Sequence, residues 1–414
     1  MAMDSLSARS EAISFMQLRL FESVGRFNSF RKTADECNLS QPAVTQSLAK
    51  LEQIVGMLLF DRRASGSYLN EAGCIFHRRV TNFVHHVEAA LVELGIAGGK
   101  SAAPFFARRL SRAKIRNLLA IISSPSLPQA AQKLGLSLAS LQRGAHDLER
   151  NLKCPLFHHT SDGLIITHAG AKFARALRLA MQEIEWGISE IEATQGRLTS
   201  RISIGALPSG GSVLLSSVLE EFITVFPDVE IDIFTESAST MVKNLREGRV
   251  DFVFGILQET MPADLTADHL CRTPYIIAAR KGHELLNKSA VSASDLISYE
   301  WVIGLNDSCR QACFEALFAK IGRPRAKISS STLAVTHQLL EHRNRLTLMT
   351  SFELDHEVER LEALRFEPLE PVPAMGVTAR ANWNRTAFHN YFIELLQRKM
   401  MNFSSPTLID KRAS

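Results

Sequence analysis

No CxxC pair and no Cys/His cluster occurs among the six cysteines of this 414-residue chain: Cys37, Cys74, Cys154, Cys271, Cys309 and Cys313. That scatter argues against a zinc site or a disulfide framework, and reduced thiols in a cytoplasmic protein are expected. Cys309 and Cys313 would be i,i+4 neighbours on a helix and are read as ordinary thiols rather than a redox switch. No apolar segment approaches the ~20 residues that span a bilayer, and no basic stretch followed by a long apolar run opens the chain. A soluble protein with no membrane partner is expected. Catalytic patterns are missing too. Ser209 lies in no GxSxG, no two acids form an obvious pair, and His283 and His337 lack visible partners. Neither enzymatic activity nor a metal or cofactor is expected.

The chain does have an ordinary globular composition, 46% hydrophobic and 22% charged, enough for two or three domains with normal cores. Its net charge of +4 is unevenly shared. Residues 1–196 carry the basic excess and residues 197–414 a slight acidic one, so a polyanion partner would meet the front half.

The front half is a duplication. A shift of 97 residues lays Ser29 on Ser126, Ala34 on Ala131, Leu39-Ser40 on Leu136-Ser137 and Leu51-Glu52 on Leu148-Glu149. The same register brings Leu59-Phe60 onto Leu156-Phe157, Gly66 onto Gly163, Ala72-Gly73 onto Ala169-Gly170 and Phe76 onto Phe173, without a gap. In the first copy an amphipathic helix runs from about Ile13 to Val24, and a short one surrounds Phe30–Cys37. After a tight turn at Asn38-Leu39, Ser40 caps a third helix with Pro42 in its first turn. Val44, Leu48 and Leu51 form its buried stripe, leaving Gln41, Thr45, Gln46 and Lys50 outward. Two helices joined by a short turn, the second with a polar face, suit a major groove. Asp61 to Ser67, with Arg62, Arg63 and Gly66, reads as a basic β-turn wing.

This stretch resembles the winged helix-turn-helix of LysR-type transcriptional regulators. The resemblance rests on Gln17-Leu18-Arg19-Leu20-Phe21, Ser29-Phe30, Leu39-Ser40-Gln41-Pro42-Ala43-Val44-Thr45, Leu51-Glu52, Leu59-Phe60-Asp61-Arg62 and Glu71-Ala72-Gly73. It implies base contacts from Gln41, Pro42, Thr45 and Gln46, with Ser40 and Lys50 beside them, and backbone contacts from Arg62 and Arg63. The chemistry agrees: Gln pairs with adenine, Thr offers a hydroxyl and a methyl, and Arg neutralises phosphate. Gln46 departs from the family, which often has Arg there.

The second copy keeps the cap at Ser137 but replaces the Gln-Pro-Ala-Val run by Leu138-Ala139-Ser140-Leu141. Its outward face offers Gln142, Arg143, His146 and Arg150. Its wing, His158 to Gly163, has lost both arginines. It is either a second DNA reader or a degenerate copy kept for packing. Each copy runs into a long amphipathic helix, marked by Phe76, Val80, Phe83, Val87 and Leu91 and by Phe173, Leu177, Met181, Ile184 and Ile188. In the family this helix is the dimer seam, which implies a homo-oligomer, dimer or tetramer; the alternative is that the two helices pack on each other within one chain. Gly95 to Pro104 reads as a flexible linker.

From Arg201 the pattern becomes alternating strands and helices, an α/β domain with mainly parallel pairing. Ile202–Gly205, Val229–Phe234, Val250–Gly255, Tyr275–Ala279, Trp301–Gly304, Leu346–Met349, Leu364–Leu369 and Gly376–Arg380 read as strands, and Arg385–Met400 as a closing helix. The half resembles the LysR effector-binding domain, most specifically in Ile204-Gly205-Ala206-Leu207-Pro208, Phe226-Pro227-Asp228-Val229 and Glu247-Gly248-Arg249-Val250-Asp251-Phe252. Pro208, Ser209, Gly210, Gly211 and Ser212 open a helix whose positive end suits a carboxylate, sulfate or phosphate, and Ser237, Ser239 and Thr240 precede the next helix. The resemblance makes these two loops, and a third with Thr350 and Ser351, the lining of an effector pocket. Plain helix capping is the other reading of Ser209, Ser239 and Thr240. The third loop lacks the family's glycine-rich turn and has His342-Arg343-Asn344-Arg345 nearby, which could aid an anion or be solvated.

The expected fold is multi-domain. Two all-α winged helix-turn-helix modules occupy residues 12–95 and 111–196, joined by a linker over 96–110. A two-lobed α/β effector-binding domain of the periplasmic-binding-protein type covers 200–403, and a tail covers 404–414. The expected function is sequence-specific binding of double-stranded DNA, regulated by a small anionic effector such as a carboxylic acid. The alternatives are a solute-binding module and a non-specific architectural DNA-binding protein.

Overall fold

The computed structural model describes residues 6–63, 66–160, 163–196, 201–207, 211–304, 309–330, 333–367 and 369–403. The chain forms two units, residues 1–200 and 201–414.

In the first unit a short helix, α1 (Leu6–Ala12), leads into α2 (Phe15–Phe27), α3 (Phe30–Cys37) and α4 (Gln41–Val55). A hairpin of β1 (Phe60–Arg63) and β2 (Gly66–Leu69) and the long α5 (Glu71–Glu93) complete the first module. After α6 (Gly99–Ala107) the order repeats as α7 (Arg112–Ser123), α8 (Leu127–Leu134), α9 (Leu138–Leu152), β3 (Phe157–Thr160), β4 (Gly163–Ile166) and α10 (His168–Thr194). Each helix after the first of its copy starts at a side chain that closes the first turn. Ser14, Ser29, Ser40 and Asn70 do this in the first copy, and Ser111, Ser126, Ser137 and Thr167 occupy the equivalent positions in the second. Such caps stabilise a helix by about 1 kcal/mol each.

The duplication also extends to close packing. Glu52 Oε1 accepts the Leu59 N–H at 2.7 Å, and Glu149 Oε1 accepts that of Leu156 at 2.8 Å, tying each third helix to its hairpin. A Cβ on Gly73 would lie 2.1 Å from the Leu59 carbonyl oxygen, and one on Gly170 2.4 Å from that of Leu156. The glycine of the Ala-Gly pair that marks both copies is therefore required where the long helix meets the hairpin.

The two modules share one core through α5 and α10, which run antiparallel against each other. Lys172 near the start of α10 bridges Glu93 at the end of α5 at 3.2 Å. Toward the other end, Arg79 bridges Glu183 at 3.1 Å and Glu190 at 2.5 Å, and Asn82 donates to Glu183. That register places Val84 opposite Met181, residues equivalent under the repeat. The alternative of internal pairing is the one observed.

The segment 96–110 corrects the expectation of a flexible linker. It holds α6, with Ile96, Ala103, Phe106 and Leu110 buried. Glycines at 98 and 99 and Pro104 suggested irregular chain, yet both glycines take positive φ at the helix entry and Ala103 and Phe106 give it an apolar face on α5. Under the repeat, residues 103–107 correspond to 6–10 of α1, and α1 packs on α10. The leading helix of each copy thus lies on the long helix of the other. Arg9 of α1 donates to the carbonyls of Ile54, at 3.0 Å, and Val55, and pairs with Glu192 of α10.

The second unit has two lobes. One sheet has the order β6-β5-β7-β14-β8, from β5 (Arg201–Ala206), β6 (Glu230–Thr235), β7 (Phe252–Ile256), β8 (Leu265–Arg272) and β14 (Ala374–Arg380). The helices α11 (Gly211–Val225), α12 (Ala238–Arg246) and α17 (Ala387–Phe403) belong to this lobe. The other sheet has the order β11-β10-β12-β9-β13, from β9 (Tyr275–Arg280), β10 (Glu300–Ile303), β11 (Ala326–Ser329), β12 (Arg345–Thr350) and β13 (Leu361–Ala363). Its helices are α13 (Ala293–Ile297), α14 (Cys309–Ile321), α15 (Leu333–His342) and α16 (Ser351–Asp355). Pairing is parallel among β5, β6 and β7 and among β10, β11 and β12, and antiparallel at β8, β9, β13 and β14. The strand expected at Leu364–Leu369 is instead β13, three residues earlier, with an isolated bridge at Leu369. The chain crosses between the lobes at 273–274 and again at 370–373.

Candidate nucleic-acid interface and effector cleft

The third helix of the first module presents the face that groove contact needs. Val44, Leu48 and Leu51 are fully buried, while Ser40, Gln41, Pro42, Gln46 and Lys50 are exposed. Thr45 is half-buried and its hydroxyl donates to the Gln41 carbonyl at 3.0 Å. Pro42 sits in the first turn, where no helical donor is lost. In the wing, Arg62 pairs with Ser67 and Arg63 with Gly66, so both arginines flank the hairpin tip; their side chains lie outside the described residues.

In the second module Leu141, Ala145 and Leu148 of α9 are buried, and Gln142, Arg143, His146 and Arg150 are all exposed. Together with His159, Thr160 and Leu164 of the wing they line a cleft of about 400 Å³. Arg150 bridges Asp147 at 2.7 Å, where the first copy has Lys50, and Arg143 donates to the Ser140 hydroxyl at 3.2 Å. Among the described residues one trio could hold a metal ion: His146, Glu149 and His159, with ligand atoms within 4.8 Å of one another. Glu149 is already engaged by the Leu156 and Phe157 N–H groups and by His159 at 3.1 Å. Since Glu52 serves the same backbone role without histidines, hairpin packing accounts for the carboxylate.

The effector loops are partly visible. Pro208, Ser209 and Gly210 lie outside the described residues; Gly211 and Ser212 open α11, and their side chains are not described. Ser237 caps α12, accepting the Thr240 N–H, and its hydroxyl lies 3.0 Å from those of Ser239 and Thr240. Thr350 is fully buried and caps α16, exchanging hydrogen bonds with Glu353. Capping therefore occupies Ser237 and Thr350 in this state. Ser351 Oγ lies 3.2 Å from the Thr273 hydroxyl, across the first crossing strand. The arginines before the third loop are remote from it. Arg345 starts β12, at the opposite end from Thr350, and pairs with Glu300 at 2.8 Å.

Sequence reasoning missed a cluster beside this loop. Arg310 of α14 pairs with both oxygens of Glu353, at 2.5 and 2.6 Å, with little solvent access to either. Tyr275, where the chain enters the second lobe, is 2% exposed, and among the described residues its hydroxyl has no partner. Burial pushes that phenol well above its ordinary pKa, while the Arg310 charge draws it down. Three distant segments supply the Arg310–Glu353 pair and the Tyr275 hydroxyl, so no local motif announces the cluster. No cysteine is in a disulfide, and burial pushes the Cys271 and Cys313 thiols up to about 11.

Comparison with known proteins agrees with this layout. Residues 15–74 and 113–171 each match the bacterial regulatory helix-turn-helix of the lysR family, and residues 195–401 match the LysR substrate binding domain. The HTH-type transcriptional regulator GalR of Pseudomonas putida is 28% identical over 374 residues, 90% of this chain and 91% of that one. GbpR of Rhizobium radiobacter is 23% identical over 56% of this chain and 78% of its own length. A full-length OxyR variant of Pseudomonas aeruginosa, 17% identical, covers 69% of this chain and 93% of that one with a TM-score of 0.51, a likeness of fold. No described helix is long and apolar enough to cross a membrane. The chain belongs to the LysR family of bacterial transcriptional regulators, DNA-binding proteins that respond to an effector, with the helix-turn-helix present twice before one substrate-binding domain.

Proposed function

We propose that this regulator acts in the cytoplasm without catalysis, reading duplex DNA with Ser40, Gln41, Pro42, Thr45, Gln46 and Lys50 of the first module and positioning itself through Arg62 and Arg63. The observation that carries this reading is the segregation on α4, where Val44, Leu48 and Leu51 are buried while Ser40, Gln41, Pro42, Gln46 and Lys50 are exposed. Gln142, Arg143, His146 and Arg150 form the corresponding surface of the second module. The effector is a small anion, of the carboxylic acid class, held between the lobes by the loops at 208–212, 237–240 and 350–351 with Tyr275 and Arg310. Homo-oligomers form through the substrate-binding unit. There β6 is a sheet edge with exposed Ile233 and Phe234, and α11 exposes Ile223 and Val225.

Footprinting on the DNA upstream of the coding region tests the reading. Gln41→Ala with Arg62→Ala abolishes protection, and a carboxylic acid effector shifts the footprint. Uniform, sequence-indifferent protection with a steep salt dependence would instead mark an architectural DNA-binding protein. No protection under any condition would leave a ligand-binding module. Tyr275→Phe weakens the effector response and leaves basal protection intact.

A further inference from the structure

We infer that one chain of this protein reads a complete DNA site by itself, and that the two half-sites of that site are unlike in sequence. The inference rests on the proposed DNA-reading role and adds the stoichiometry and symmetry of the target.

The first support is the arrangement of the front unit. Its two modules agree in element order, in their helix caps and in the glutamate that ties helix to hairpin. They are joined by an antiparallel seam that brings equivalent residues, Val84 and Met181, opposite each other, and each leading helix crosses to the other copy's long helix. Two like modules joined about the centre of an antiparallel helix pair are related by an approximate twofold axis. That is the symmetry with which paired readers meet the two halves of a duplex site.

The seam is also built for unlike partners. Arg79 is buried against Glu183 and Glu190 of the other helix. If α5 met a second copy of itself, the repeat would put His86 and Glu93 at the positions of Glu183 and Glu190. If α10 met itself, Ala176 would stand where Arg79 is, leaving Glu183 buried without its cation. Shape agrees with charge. A Cβ on Gly187 would lie 2.8 Å from the Phe76 ring and 3.1 Å from Arg79 Cβ, and α5 has Ala90 at the equivalent position. The seam therefore favours α5 against α10 over either long helix against a second copy of itself.

The readers themselves differ. At equivalent positions α4 presents Gln41, Thr45, Gln46 and Lys50, and α9 presents Leu138, Gln142, Arg143 and Asp147. Gln41 can pair with adenine, whereas the exposed Leu138 can only meet an apolar group such as the thymine methyl. Arg143 suits guanine where Gln46 suits adenine. Two such faces do not select the same bases.

Selection of random duplexes by the full-length chain, followed by titration of the enriched duplex, tests this. The expected motif has two dissimilar halves, bound at one duplex per chain. Gln41→Ala with Gln46→Ala relaxes selection in one half, and Arg143→Ala with His146→Ala relaxes it in the other, each lowering affinity about ten- to a hundredfold. All four side chains are exposed, and circular dichroism confirms that the variants fold. A palindromic motif bound at half a duplex per chain overturns the inference and leaves the DNA-reading role standing. A single half-motif insensitive to Arg143→Ala with His146→Ala does the same. No enriched sequence at all overturns the DNA-reading role itself.

Discussion

Arg79 and Glu183 meet at 3.1 Å across the interface of the two long helices, with side chains 1% and 3% exposed. Burial alone would lower the Arg79 pKa, but the hydrogen bond to Glu190 and the Glu183 charge outweigh it and hold the guanidinium above its ordinary value. A buried ion pair of this kind adds little over an apolar replacement, yet removing one partner strands the other. Arg79→Ala should therefore lower unfolding stability by about 3–5 kcal/mol in urea titration. Combining Arg79→Met with Glu183→Leu and Glu190→Leu should restore most of it. A loss below ~1 kcal/mol for the single variant would show that water reaches the carboxylates.

Lys153 ends α9 with φ at 54°, where the first copy has Gly56 at 78°. A side chain in the left-handed region costs about 1 kcal/mol relative to glycine. Lys153→Gly should raise the melting temperature of the front unit, and Gly56→Lys should lower it. Calorimetry on the full chain reads both, and an unchanged transition with Lys153→Gly would contradict the strain.

His283 is fully buried, and burial lowers its pKa beneath the ordinary 6.5. Its Nδ1 accepts the Leu285 N–H at 3.2 Å as a cap. Above pH 6.5 the ring is neutral whether folded or unfolded and contributes no pH dependence. As pH falls below 6.5 the unfolded chain binds the proton first, so stability is lost toward the depressed folded value. His283→Asn keeps a capping acceptor and should flatten this acid-side slope in denaturation series. An identical slope in both proteins would assign the acid sensitivity elsewhere.

Arg62 and Arg63 flank the tip of the first wing. If both meet phosphates, Arg62→Ala with Arg63→Ala weakens binding alike on all sequences. The slope of log affinity against log salt then falls by about 2. A loss confined to particular bases would instead give the arginines a reading role.

Much of this organisation could be seen in the linear chain because its signals are local. Serines at 29, 40, 126 and 137 mark helix starts by chemistry that acts within three residues, and the 97-residue register carries them from one copy to the other. The leading helices escaped notice because α1 has seven residues and α6 holds Gly99 and Pro104; tertiary burial of Phe106, not propensity, decides that segment. The Tyr275, Arg310 and Glu353 cluster was invisible because three strand and helix ends from separate parts of the chain converge there. In the effector loops the hydroxyl positions were legible, but their involvement in capping at Ser237 and Thr350 emerged only in three dimensions.

Joining both modules in one polypeptide changes what a substitution does. In a symmetric dimer every change is written twice, so a new acid in the seam enters both helices at once and must be tolerated in both places. Here Glu183 stands opposite Arg79 while the equivalent position of the first copy holds His86. The same freedom extends to α9, whose surface can change while α4 keeps its own; if both helices read DNA, the fused pair can follow a changing promoter one half at a time.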